Sequence, residues 1–321
     1  MTTPKDLKDK EQPLVSVIVN CYNGEKYLKE ALESIYAQTY CNWEIIFWDN
    51  ASTDKSEEIV KYFDSKLYYF RGEETIPLGA ARNKALTRAR GEFIAFLDCD
   101  DIWEPSKLEK QIPLFNKDQK TALVISNAIQ FNNQGIKKLF CKNKPKTGFV
   151  FRELLKNYFI CLPTAVIRRK SLDDLNEWFD SRFSHIEESE LFMRIAYIWK
   201  LDYVDEALAR YRIHKESSSY LRSDLSPKET EMMISKFTNL YPDFEKNYYD
   251  ELLGLQYYTQ YYFALNAWKQ GDNHNVRKRL RPFLFKKSRA IVPFLLSFFP
   301  YVFFEVIHTL FNRYIRRVPP V

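Results

Sequence analysis

Glycine is scarce in this chain. Only eight occur in 321 residues, at 24, 72, 79, 91, 135, 148, 254 and 271, and no two are closer than seven. That spacing excludes the GxxxxGK phosphate loop and the GxGxxG dinucleotide fingerprint, which need clustered glycines. Any phosphate bound here must be neutralised in another way. Cysteine is also sparse, with five residues at 21, 41, 99, 141 and 161 and no CxxC pair. Zinc-finger and dithiol spacings are therefore excluded, and the cysteines are expected to be reduced thiols of a cytosolic protein. The stretch 1–12 is polar and charged, without the apolar core of a signal peptide. Sustained repeats and low-complexity linkers are missing too.

What is present is a globular composition, 45% apolar and 28% charged, with aromatics high at 16%. The length suits one large domain or two modest ones. The net charge of +6 is uneven. From Val276 to Val321 there are ten Lys and Arg against one acid, Glu305, which leaves the rest of the chain at about −3. A basic tail rich in Phe and Leu points to an anionic membrane surface and away from nucleic acid.

Along the chain, short apolar runs alternate with helical periodicity. Leu14 to Val19, Trp43 to Trp48, Leu67 to Phe70 and Phe93 to Leu97 read as strands. Lys26 to Ala37 and Gly79 to Arg90 read as helices. Asp54-x-x-Glu57 resembles a capping box opening a helix to about Phe63. This alternation predicts βαβ units and a mostly parallel sheet with helices on both faces. Ligands bind such sheets at the carboxyl ends of the strands, where Asn20, Asp49 and Asp98 fall. Further on, Ala122 to Phe131, Ala165 to Ile167 and Leu208 to Ile213 read as strands, and Glu188 to Trp199 as a helix. After Ser219 the pattern is helical only, with Tyr248 to Trp268 and Val276 to Phe285 as a hairpin. The domains expected are a polar extension 1–12, an α/β domain 13–219 and a helical region 220–321.

Four segments carry possible chemistry. Asp98-Cys99-Asp100-Asp101 follows an apolar strand, and three carboxylates this close repel one another unless a cation joins them. Mg²⁺ or Mn²⁺ would fit, since these ions take oxygen ligands and bridge substrate phosphates to carboxylates; a solvated acidic turn is the plain alternative. Asp49 to Asp54 could hold a nucleobase or ribose, or form an ordinary Asx turn. Glu187-Glu188-Ser189-Glu190 opens a helix, as dipole partners or with one general base among them. Tyr211-Arg212-Ile213-His214 places one histidine after a strand, either structural or facing a phosphate or metal.

Taken together, Val15 to Asn23, Gln38 to Tyr40, Trp43 to Asp54, Gly79 to Asn83, Phe96 to Trp103, Lys107 to Gln111, Glu187 to Arg194 and Tyr211 to His214 closely resemble the family 2 glycosyltransferases of GT-A fold. The resemblance covers about residues 13 to 219. It implies an inverting transferase that uses a nucleotide-diphosphate sugar, with UDP as the first expectation for the nucleotide and a guanosine or thymidine donor as the alternatives. Donor-binding residues implied are Asn20, Tyr22, Asp49, Arg82, Asn83, Asp98 and Cys99. Metal ligands implied are Asp100, Asp98 and His214, for Mg²⁺ or Mn²⁺. Glu188 falls at the catalytic base, with Glu187 or Glu190 able to share the role. Two departures stand out: Asn20 replaces a usual Pro, and Glu188 replaces a usual Asp. The processive signature QxxRW is absent, so one sugar per event is expected.

Ile291 to Phe311 reads as an amphipathic helix with a narrow polar stripe, Ser297, Tyr301, Glu305, His308, Asn312 and Arg316. Basic residues flank it, so about 286–317 is expected to lie in a membrane interface, with packing on a homodimer partner or membrane spanning as alternatives. The expected partners are a nucleotide-sugar donor, a saccharide or lipid-linked saccharide acceptor and an anionic membrane surface on the cytoplasmic side. Two other functions stay open: a sugar-phosphate nucleotidyltransferase, and a catalytically silent scaffold of the same fold.

Overall fold

The computed structural model describes residues 12–305, apart from Asn133 and Ile136. The extension expected over 1–12 lies outside the described residues except for its last position. So does the part of the 286–317 segment from residue 306 onward.

Nine strands are described: β1 Val15–Cys21, β2 Trp43–Asp49, β3 Leu67–Arg71, β4 Phe93–Phe96, β5 Ile102–Trp103, β6 Thr121–Phe131, β7 Lys137–Leu139, β8 Val166–Arg168 and β9 Lys200–Arg212. They form one sheet in the order β3-β2-β1-β4-β8-β6-β9-β5, with β7 on β6. Strands β1 to β4 run parallel. Strand β8 is antiparallel to both β4 and β6, while β6 and β9 are parallel. The carboxyl ends of β1, β2 and β4 therefore share one edge, and Cys21 sits beside Asp49 there.

The strands form because their apolar side chains alternate between two covered faces. Val15, Val17 and Val19 share a core cluster with Leu28, Ala31, Leu32 and Ile35 of the helix Leu28–Tyr36. Those four helical positions recur at three- and four-residue steps, which makes one apolar stripe. Phe96 points to the opposite face and meets Phe179 and Phe192, the latter on the helix Glu187–Ile198. Each such side chain contributes roughly 1.5–3 kcal/mol on burial.

The local signals fail in three places. The helix after β2 is only Ser56–Val60, and Asp54 does not close a capping box. Its carboxylate instead accepts from the Ser56 amide at 3.0 Å and from the Glu25 amide at 2.8 Å, tying two rim loops together. Glu57 pairs with Lys61. Strand β9 begins at Lys200, eight residues before the expected start at Leu208. The helix expected from Val276 starts at Asn273, because the Asp272 carboxylate caps it by accepting from the Asn275 amide. It ends at Leu280, just before Pro282, which has no amide hydrogen to donate.

The chain divides into two compact units, Met1–Ser223 and Asp224–Val321. The second is helical. Ala264, Ala267 and Trp268 of the helix Tyr249–Lys269 pack on Val276 and Leu280 of the helix Asn273–Leu280, together with Phe304.

Two glycines make opposite predictions. At Gly91 a Cβ would stand 2.5 Å from the Ser16 amide nitrogen and 2.7 Å and 2.8 Å from the Phe93 and Leu14 carbonyl oxygens. Those are backbone atoms of the sheet and cannot yield cheaply. Gly91→Ala is expected to cost about 2 kcal/mol or more. Gly254 lies inside the helix Tyr249–Lys269 with nothing nearer to a Cβ than the Lys287 amine at 3.9 Å. Gly254→Ala should stabilise by about 0.5–1 kcal/mol. Urea denaturation of both variants checks the pair, and equal effects would contradict this packing.

Candidate functional site

The rim at the ends of β1, β2 and β4 collects most of the candidate side chains. Asn20 is buried, and its amide nitrogen has no hydrogen-bond partner among the described residues. An unmade donor of this kind is costly unless a ligand takes it. Tyr22 stands more than half exposed beside it. Asp49 is fully buried. One carboxylate oxygen accepts from the Ser52 amide at 2.7 Å, and the other from the Tyr69 hydroxyl and the Arg71 guanidinium, both at 2.8 Å. The loop after β2 is thus braced on Asp49, with Ala51 held at φ 64°.

The acidic segment after β4 is split between two arginines. Arg82, buried on the helix Leu78–Leu86, donates to Asp98 at 3.0 Å and to Glu187 at 2.7 Å, and lies 3.9 Å from Glu188. Burial raises the Asp98 carboxyl above its ordinary value, Arg82 opposes that, and Asp100 adds to it. At the other end, Arg212 of β9 donates its side chain to the Asp100 carbonyl and its backbone amide to the Asp101 carboxylate, both at 2.8 Å. Its guanidinium also stacks over Tyr27 and Phe131 and reaches Glu30. Asp101 is buried, and its carboxyl is pushed well up by burial first and then by Asp100 and Asp98.

The Asp100 carboxylate meets the His214 Nε2 at 2.8 Å. Asp98 is engaged with Arg82 and does not join them. Among the described residues, no group of three or more His, Cys, Asp or Glu is gathered so as to hold a metal. The pair still fits a hard divalent ion. One or two carboxylates are what a protein commonly supplies where substrate oxygens complete the coordination. The Asp100 carboxylate is the group on offer; His214 meets it through Nε2, and the His214 Nδ1 is buried with no partner among the described residues.

The helix Glu187–Ile198 brings three glutamates to the site in three distinct states. Glu190 is fully buried and chelated by Arg194, at 2.6 Å and 2.9 Å. Arg194 also holds the carbonyls of Glu177 and Trp178. Glu190 therefore braces the 177–178 turn and has no carboxylate oxygen left for chemistry. Glu187 is buried against Arg82. Glu188 alone keeps 24% of its side chain exposed. Its carboxyl is pushed up to about 8, by burial first and then by Glu187, with Arg82 opposing.

Glu188, Arg82 and Asp98 line one cavity of about 350 Å³. Tyr211 lines it too, as do Tyr158, His185 and Gln130, which the sequence did not single out. Tyr158 is half-buried beside Glu188, whose charge, after desolvation, pushes its phenol well above the usual value. Tyr211 stands in the Tyr-Arg-x-His segment and was readable there. Tyr158, His185 and Gln130 have no spacing signal.

Two donor-binding candidates sit differently from the rest. Asn83 donates to the Phe179 carbonyl at 2.7 Å and accepts from the Phe179 amide at 3.0 Å, so its side chain clamps backbone. The Cys99 thiol turns inward to Cys21, and a Cβ on Gly24 would stand 2.7 Å and 2.9 Å from the two sulfurs.

The sequence model described as glycosyl transferase family 2 matches residues 16–175. An uncharacterized glycosyltransferase of Methanocaldococcus jannaschii is 35% identical over 210 residues, covering 63% of this chain and 72% of the relative. The Escherichia coli UDP-Glc:alpha-D-GlcNAc-diphosphoundecaprenol beta-1,3-glucosyltransferase WfgD is 34% identical over 183 residues, covering 57% and 69%. Among solved structures, Staphylococcus aureus TarS 1–349 with UDP-GlcNAc superposes with TM-score 0.56 at 21% identity over 88% of both chains. The Pyrobaculum calidifontis mannosyltransferase PcManGT with GDP-Man and Mn²⁺ gives 0.60 at 17% identity over 96% and 89%. At these identities the two structures speak for the fold.

Arg82→Met would leave buried Glu187 and half-buried Asp98 without their shared counter-charge. Removing one partner of a buried ion pair costs about 3–5 kcal/mol. Denaturation of the variant should show a loss of that size. A loss below about 1 kcal/mol, the range of an exposed pair, would contradict the bridging role.

Proposed function

Since the chain belongs to glycosyl transferase family 2 and is a glycosyltransferase of GT-A fold, we propose that it moves one sugar from a nucleoside-diphosphate donor to an acceptor hydroxyl by a single inverting displacement. The family assignment speaks against a nucleotidyltransferase, and the Glu188 variants separate an active transferase from a silent scaffold of the same fold. The observation that carries the proposal is Glu188, a glutamate with its carboxyl near 8 that lines the same cavity as Asp98.

UDP is the nucleotide we favour. WfgD is named for UDP-Glc, and TarS is seen with UDP-GlcNAc, although PcManGT carries GDP-Man. The name of WfgD also contains a diphosphoundecaprenol acceptor, which supports a lipid-linked saccharide as acceptor here.

In this reading the nucleoside rests against the Asp49 loop and the unpaired Asn20 amide. Asp98, steadied by Arg82, faces the ribose. Asp100 and His214 would hold a Mg²⁺ or Mn²⁺ ion, which when bound neutralises charge on the departing diphosphate. The acceptor occupies the 350 Å³ cavity with one hydroxyl against Glu188. Glu188 takes the hydroxyl proton as the oxygen bonds to the anomeric carbon. The sugar–phosphate bond breaks on the opposite face, and the nucleoside diphosphate leaves with the bonding electrons. Arg82 sets the base: without its charge, the carboxyl would rise further and be ionised less.

A base must be ionised to act, so kcat/KM should climb with pH to a plateau, with its midpoint near 8. Glu188→Gln should abolish transfer and leave donor binding intact. Glu188→Asp withdraws the carboxylate by about 1.5 Å and should lose on the order of 100-fold. Full activity of Glu188→Gln, or its loss only in Glu187→Gln, would reassign the base.

A thermal-shift panel of nucleotide sugars, with and without Mn²⁺, tests the donor side. One UDP-sugar is expected to stabilise the protein more with Mn²⁺, and Asp100→Asn should remove that increment. An undiminished increment in the variant would take Asp100 out of the metal site.

A further inference from the structure

The C-terminal segment turns the first part of its polar stripe inward, with Ser297 buried, Tyr301 half-buried and Glu305 exposed at the end. By sequence, Ser297, Tyr301 and Glu305 share one narrow stripe on a broad apolar surface. A surface helix of a soluble protein would expose the stripe and bury the rest. Here Ser297 is fully buried, and its hydroxyl donates to the Phe294 carbonyl. Its own carbonyl accepts from Arg277 at 2.8 Å. Tyr301 packs edge-on against Trp268 at 5.7 Å, and the Trp268 indole donates to the Phe299 carbonyl. The expected continuous helix is also broken. Ile291–Leu296 is helical, as are residues 301–305, with a bend at Ser297 to Pro300 between them. His308, Asn312 and Arg316 of the expected stripe lie outside the described residues.

The outward side is apolar. Val292, Leu295, Phe298, Phe299, Val302 and Phe303 are each between 51% and 62% exposed. They stand on the two short helices and the bend that joins them, and the Phe299 and Phe303 rings lie 5.6 Å apart across it. Phe285, just before it, is wholly exposed. A patch this large on a soluble surface marks an interaction site. Its border decides what it meets. Arg281, Lys286 and Arg289 are exposed next to it, and from Arg281 to Glu305 the exposed Glu305 is the single acid. In sequence, 306–321 adds Arg313, Arg316 and Arg317 and no acid.

We propose that this face seats the protein on an anionic lipid bilayer. The Phe, Leu and Val side chains enter the boundary between headgroups and acyl chains, and the Arg and Lys side chains lie at the level of the phosphates. No described helix is long and apolar enough to cross a membrane, so the face lies on the surface. The inference rests on exposure and charge in the second unit and stands apart from the proposed transfer reaction.

Vesicle co-sedimentation of the full chain is the test. Phosphatidylcholine vesicles with about one-third phosphatidylglycerol should carry the protein down, and pure phosphatidylcholine should do so much less. Added salt should weaken the binding. The double variant Phe298→Ser and Phe303→Ser should lower the partition coefficient at least tenfold. Both side chains are exposed and outside the candidate site, so soluble transfer activity should stay unchanged. Equal sedimentation of wild type and variant would overturn the proposal, as would no binding to either vesicle. A concentration-dependent dimer in sedimentation equilibrium that the double variant abolishes would assign the face to a second copy and overturn it equally.

Discussion

One buried guanidinium holds the candidate site together. Arg82 bridges Asp98, which follows β4, and Glu187, which opens a helix eighty-nine residues later, and stands 3.9 Å from Glu188. Three carboxylates this close, one buried and two half-buried, would repel one another and disfavour being charged together. A single cation among them permits the arrangement. It also ranks the three acids. Asp98 and Glu187 take the direct hydrogen bonds, and Glu188 receives only the outer reach of the charge. Its carboxyl is accordingly the one left partly open to the cavity and raised to about 8.

Arg212 does the corresponding work at the far end of the acidic segment. It fixes the backbone of Asp100 and the side chain of Asp101 while stacking between Tyr27 and Phe131. Tyr27 in turn lies against His214, with ring centroids 5.2 Å apart. The loop between β4 and β5 is thus shaped by protein cations at both ends. Asp100 and His214 are left adjacent in the middle, where an ion shared with a diphosphate would add the charge that the scarce glycines cannot replace.

The sheet was legible in the sequence because its strands are short β-branched and aromatic runs buried on both faces. Val15 to Cys21 and Trp43 to Asp49 are buried at every position, so no alternation was needed to find them. The edge where Asn20, Asp49 and Asp98 meet followed from parallel pairing alone. The individual side chains were harder. Asn83 and Glu190 look like site residues in one dimension, yet their partners, the Phe179 backbone and Arg194, are set by tertiary packing. Tyr158 and His185 line the cavity from a stretch with no periodic signal. Along the C-terminal segment the sequence shows an apolar and a polar side but not which one faces the protein. That depends on Trp268 and Arg277, which take Tyr301 and the Ser297 carbonyl.

The length and the basicity of Glu188 belong to one argument. A glutamate reaches further than an aspartate by one methylene, and here it starts from the first turn of a helix whose neighbouring acids are tied to Arg82 and Arg194. The longer side chain lets the carboxylate extend past that buried layer into the cavity. Its position there, partly desolvated and beside Glu187, raises its basicity. With a pKa of about 8, roughly one molecule in ten is ionised at neutral pH. A base poised near the operating pH accepts a hydroxyl proton more readily than a carboxylate of ordinary strength. In the proposed mechanism the Glu at this position and its raised basicity go together, since burial and Glu187 both push its carboxyl up.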